Sequence, residues 1–129
     1  MGGEDRRTEA WTVTVLRVVP ILTVEDLDAE IDRYERVLGL SVVMNHGWIA
    51  TLAGPDRRHQ ISLLTRDATA PVNPSLSVEV DDVDAAHDAA REAGFEIVHP
   101  VQDEDWGVRR FFYRDGSGNV VNVLAHSGA

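Results

Sequence analysis

The sequence predicts an α+β fold made of two tandem βαβββ modules. Three observations predict it. A stretch V-E-D-L-D-A-E-I-D beginning at Val24 recurs as V-D-D-V-D-A-A-H-D beginning at Val80. Each copy follows a short run suited to a strand and is closed by a glycine, Gly39 or Gly94, where a helix would stop. After each glycine come three extended segments.

Residues 1–10 are polar and patternless, which predicts a flexible tail. From Thr12 to Thr23 valine, leucine and isoleucine dominate and Pro20 breaks any helical reading, so this run is a buried strand. Asp26 is placed as an N-cap, and Leu27, Ile31, Tyr34 and Leu38 follow at helical spacing on one apolar face. Leu40 to Asn45, Trp48 to Ala53 and His59 to Thr65 are the next strands, divided by His46-Gly47 and by Gly54-Pro55-Asp56. Residues 68–74 hold two prolines and no period and read as a linker. The order then repeats: a strand from Leu76 to Val80, a helix capped by Asp82 with Val83, Ala86, Ala90 and Ala93 on one face, and strands at Phe95–Val98, Val108–Arg114 and Asn119–Leu124. The expected organisation is a single domain over 11–126, with module one at 11–67 and module two at 75–126.

A chain of 129 residues with 43% apolar content suits one globular domain. No apolar run approaches the roughly 18 residues of a membrane-spanning helix, and the first residues are too polar for a secretory signal. Cysteine is absent, which excludes disulfides and thiol chemistry and makes the cytoplasm the expected compartment. The net charge of -10 argues against nucleic acid and anionic membranes as partners, since both reward basic patches. All 12 basic residues are arginine, so Schiff-base catalysis by lysine is excluded.

Three stretches resemble the vicinal oxygen chelate superfamily, which includes glyoxalase I, bleomycin- and fosfomycin-resistance proteins and extradiol dioxygenases. They are V-x-D-L at Val24–Leu27 with Tyr34, Leu38 and Gly39; V-D-D-V-D-A at Val80–Ala85 with Glu92-Ala93-Gly94; and W-G-V-R-R-F-F-Y-R-D-G-S-G-N from Trp106 to Asn119. Gly116 stands where the family usually has proline. The resemblance implies a curved mixed sheet around a cavity, helices on the convex side, and a homodimer.

It also implies a test. Metal-dependent members hold one divalent ion with His, Gln or Glu on the first and last strands of each module. The corresponding positions are Val19, Ser62, Ser75 and Asn122, and none is a good ligand for a transition metal. No metal and no cofactor are therefore expected, and no catalytic residue is assigned. The histidines do not supply a substitute: His59 alternates away from Gln60 and Ser62, His87 replaces Ile31 on the second helix, His46 and His99 fall at strand ends, and His126 lies in the tail.

The cavity instead promises aromatic and guanidinium surface. Phe112 takes the place that the resemblance gives to an active-site tyrosine, and alternation puts Arg110 on the same face. Trp106 leads into that strand and Trp48 lies opposite in module one; such groups stack a planar ligand, grip an oxygen or receive a cation. Glu79 shares a face with Ser75 and Ser77, where it could meet Arg110 or a cationic ligand. The plainer alternative makes Trp48 and Phe112 core and leaves the arginines solvated. The expected function is a metal-free small-molecule binding protein similar to drug-sequestering bleomycin-resistance proteins. Its candidate ligand-binding residues are Trp48, Gln60, Ser62, Ser75, Glu79, Trp106, Arg110, Phe112 and Asn122, and its ligand is planar or cationic. The alternatives are a lyase, isomerase or oxygenase acting on a small oxygenated substrate, with Glu79 or a water as base, and a scaffolding role with a closed cavity.

Overall fold

In a computed structural model that describes residues 13–126, the order of elements is β1 (Val15–Thr23), α1 (Leu27–Leu38), β2 (Ser41–Asn45), β3 (Ile49–Ala53), β4 (Gln60–Leu64), β5 (Leu76–Val80), α2 (Val83–Glu92), β6 (Glu96–Asp103), β7 (Val108–Arg114) and β8 (Val120–His126). The expected tail, and the strand start at Thr12, lie outside the described residues. The helices begin where their caps dictate: the Asp26 carboxylate accepts from the Ala29 amide at 3.1 Å, and Asp82 accepts from Ala85 at 3.0 Å. Gly39 closes α1 in the left-handed conformation at φ 69°, which a side chain would resist.

The strands form one curved, open eight-stranded sheet in the order β2-β3-β4-β1-β5-β8-β7-β6. Each module contributes one half, and the halves meet where β1 and β5 pair antiparallel, with Val19 opposite Ser77. Within each half the first strand runs parallel to the last: Ile21 faces Ser62, and Ser77 faces Asn122. Alternation divides the side chains. Ala50, Leu52 and Leu63 point to α1 and pack with Leu27 and Ile31, while Phe111, Val121 and Val123 pack with Val83 and Ala90 of α2. The other face, without helices, is the concave one.

The strand after α2 is longer than the sequence suggested. β6 runs through Pro100 to Asp103, and His99 stands inside it, buried, rather than at its end. This is an edge strand with register shifts on both sides of His99, the setting in which a sheet tolerates proline.

Candidate functional site

The concave face encloses a cavity of about 370 Å³. The odd residues of β1 form its spine, Arg17, Val19 and Ile21, and β3, β4, β7 and β8 form its sides. A bulge at Val42–Met44 in β2 places an extra residue in the strand, so that both Val43 and Met44 line the cavity.

The floor is polar and uncharged. The Thr51 and Ser62 hydroxyls share one hydrogen bond at 2.7 Å. Asn122 donates through Nδ2 to Ser77 Oγ at 3.3 Å, but its Oδ1 is buried with no hydrogen-bond partner. A buried carbonyl oxygen without a donor costs about 1–3 kcal/mol, a local cost carried in the floor of the sheet.

One wall is aromatic. Trp48, just before β3, and Trp106, in the β6–β7 turn, come together edge to face with centroids 6.0 Å apart. Beside them Arg110 lies fully buried, its guanidinium 5.0 Å from the Trp106 ring and 4.9 Å from the Phe112 ring. A buried guanidinium survives only if it is paired and its donors are met. Arg110 Nη1 donates to Asp67 at 2.8 Å, Nη2 lies 2.7 Å from Glu104 Oε2 and donates to Thr69 Oγ1, and Nε donates to Glu104 at 3.0 Å. Both carboxylates are themselves buried. Burial alone would push the Asp67 carboxyl up, but hydrogen bonds from Arg110 and Thr69 and the Arg110 charge outweigh it and hold it below the ordinary carboxylate range.

The rim is where the charge is accessible. Arg17 donates to Gln60 Oε1 at 2.9 Å and lies 3.3 Å from Glu79, whose other oxygen is 3.0 Å from His126 Nδ1. Gln60 in turn donates to the carbonyl of Arg57 at 2.9 Å.

Of the candidates named from sequence, Trp48, Gln60, Ser62, Trp106, Arg110 and Asn122 line this cavity. Phe112 lies on the same face but wholly behind the wall, supporting Arg110. Ser75 does not line it: β1 and β5 are antiparallel, so Val19 sits opposite Ser77, and Ser75 is displaced to an exposed position whose carbonyl bonds the Ile21 amide. Glu79 does not reach Arg110, which is already held by Asp67 and Glu104; it pairs with Arg17 and His126 instead. Sequence reasoning missed Arg17, His46, Arg57, Ser77 and His126 among the lining residues, and Asp67 and Glu104 as partners. Arg17 and Ser77 were reachable by alternation from Val19 and Ser75; the others carry no periodic signal.

The residues at the metal positions implied by the family do not fit a metal. Val19 has no lone pair, the Ser62 hydroxyl is engaged by Thr51, and Ser75 stands outside the cavity. Among the described residues no three His, Cys, Asp or Glu side chains are grouped to hold an ion. No helix among them is long and apolar enough to cross a membrane.

Comparison with known proteins agrees with this architecture. The fold matches an NAD-dependent benzaldehyde dehydrogenase from Legionella pneumophila at TM-score 0.72 and 16% identity, covering 85% of this chain and 99% of that one. It matches a glyoxalase/bleomycin resistance protein/dioxygenase superfamily member from Vibrio splendidus at TM-score 0.66 and 18% identity, covering 87% and 99%. It also matches methylmalonyl-CoA epimerase from Mycobacterium tuberculosis at TM-score 0.65 and 23% identity, covering 88% of each chain. At these identities the likeness is one of fold. No curated protein matches by sequence. The family model for the Glyoxalase/Bleomycin resistance protein/Dioxygenase superfamily matches residues 14–123, and with the paired modules and the concave cavity this establishes that the chain belongs to that superfamily.

Proposed function

We propose that this protein is a metal-free small-molecule binding protein that holds a planar ligand in its concave cavity, in the manner of drug-sequestering resistance proteins. The observation that carries the reading is the cavity lining: where metal-dependent relatives carry imidazole, amide or carboxylate ligands, it has Val19, two hydroxyls bonded to each other and an amide bonded to Ser77, and a tryptophan pair lines the same cavity. Such a surface orients a ligand by one polar contact and binds it by apolar area. Trp48, Trp106, Gln60, Ser62 and Asn122 contact the ligand in this account. Arg110 is chiefly structural in this account, because its charge is met by Asp67 and Glu104 and most of its N–H groups are committed to them and to Thr69.

A homodimer in the cytoplasm is part of the proposal. Leu16, Val18 and Leu22 are exposed on the face of β1 turned away from the cavity, between the two helices, and support pairing through that strip. Sedimentation finding only monomer at micromolar concentration would remove this part.

Binding is tested by titrating the Trp11→Phe protein, whose remaining tryptophans are Trp48 and Trp106, with a panel of planar aromatic compounds and antibiotics. Quenching that saturates, and that Trp106→Ala abolishes, is the expected result; no saturable quenching by any compound contradicts it. A second reading rests on the His126–Glu79 contact at 3.0 Å, a pair suited to moving a proton at the rim. It predicts solvent-deuterium exchange into a carbon acid such as methylmalonyl-CoA, the ligand named for a structural neighbour, and is discarded if exchange does not exceed the rate in the Glu79→Gln variant.

A further inference from the structure

The rim and floor together define a polarity for the occupant. Arg57 lines the cavity from the β3–β4 turn. Its neighbour Arg58 is paired with Asp56 at 3.8 Å, and Arg17 with Glu79, but Arg57 has no carboxylate within ion-pair distance among the described residues. Arg57 also adopts φ 61°, the left-handed region, and is the non-glycine residue that does so among those described. A residue with a side chain costs roughly 1–2 kcal/mol there, and glycine costs nothing. The Gln60 amide fixes this conformation by donating to the Arg57 carbonyl, and Arg17 fixes Gln60. An exposed turn is thus held in a strained state with an unneutralised guanidinium at the cavity rim, in a chain of net charge -10. Such conformations occur in tight turns and gather at ligand clamps.

At the floor the polar groups are neutral: Thr51, Ser62 and Asn122. The rest of the lining includes Val19, Ile21, Met44, Trp48 and Trp106. A cation has little place here, because the Trp106 face already carries the Arg110 guanidinium.

Resting on the reading of this cavity as a ligand site, we infer that its ligand is an anion. It carries one carboxylate-, sulfonate- or phosphate-like group, held by Arg57 at the rim, on a planar apolar body that lies against Trp48 and Trp106. The expectation of a cationic ligand is thereby reversed in sign, while planarity is kept.

Two dyes separate this inference from the reading beneath it. Anilinonaphthalene sulfonate and phenylnaphthylamine share the planar body and the N–H and differ by the sulfonate. In the Trp11→Phe protein, quenching of Trp48 and Trp106 should show the sulfonate binding at least about tenfold more tightly, the scale of one charge-assisted hydrogen bond. Added salt should weaken the sulfonate and spare the neutral dye. Arg57→Gln should erase the preference, and Arg57→Lys should keep most of it. Arg57→Gly should lose the preference yet raise the melting temperature, since it relieves the strain. Equal affinity for the two dyes, or a preference untouched by Arg57→Gln, overturns the inference and leaves the cavity reading standing. Failure of both dyes to quench overturns the cavity reading and the inference with it.

Discussion

Ile49 and Arg110 occupy the same place in the two modules. Thr51 pairs with Ser62 across β3 and β4 as Phe112 pairs with Asn122 across β7 and β8, and two residues earlier Ile49 faces Leu64 where Arg110 faces Leu124. One module lines the cavity there with an aliphatic side chain; the other uses a buried guanidinium clamped by a carboxylate from the β4–β5 connection and one from the β6–β7 turn. The backbones are alike and the walls are not. A second inversion lies under the helices. In module one Tyr34 of α1 packs against the cluster that holds the small Ala50, whereas in module two its counterpart, the small Ala90 of α2, shares a cluster with Phe111, which stands at the register position of Ala50. Bulk moves from helix to sheet so that each half fills a similar volume, as close-packed interiors require. Duplicated modules thus keep pattern and volume while their chemistry diverges.

The divergence is open to attack by substitution. Arg110→Met should cost about 3–5 kcal/mol in denaturant unfolding, because it strands two buried carboxylates, whereas Ile49→Met should cost less than about 1.5 kcal/mol. Similar losses at the two sites would mean that the clamp contributes nothing special. Phe111→Ala should also cost about 3–5 kcal/mol, and Ala50→Phe should fail to fill any vacancy and destabilise by roughly 1–3 kcal/mol. A stabilised Ala50→Phe protein would show that the volumes are not complementary.

A smaller effect depends on pH. Because Asp67 is held below its ordinary value in the folded state, the stability it contributes is complete above the unfolded carboxylate value of about 4. It is lost as pH falls from there through the lowered folded value. Asp67→Asn should therefore flatten the acid limb of the stability curve relative to wild type, and parallel limbs would contradict the assignment. The smallest effects belong to the feature the modules share. Asp26→Ala and Asp82→Ala remove equivalent caps and should each cost about 1 kcal/mol; a gap of more than about 1 kcal/mol between them would show that the helices are not equally supported.

These differences track what could be read from the sequence. Caps, glycine stops and alternation are local signals, and they gave both helices and the faces of Val19, Ser62, Arg110 and Asn122 directly. The clamp was hidden because Asp67 lies 43 residues from Arg110, in a stretch that reads only as the edge of a linker. Spacing within the repeat points to Ser75 and not Ser77, because it ignores the antiparallel register that slides β5 along β1. Arg57 gave no signal at all, since nothing in Gly54-Pro55-Asp56-Arg57 says which residue turns left-handed.

The central claim, that this member of the superfamily has a cavity built to bind without a metal, is met most directly by elemental mass spectrometry. The purified protein would be incubated with iron, manganese, nickel and zinc salts, desalted and analysed. The account predicts far less than one equivalent of any metal. One equivalent retained by the wild-type protein and lost on Ser62→Ala or Asn122→Ala would contradict it.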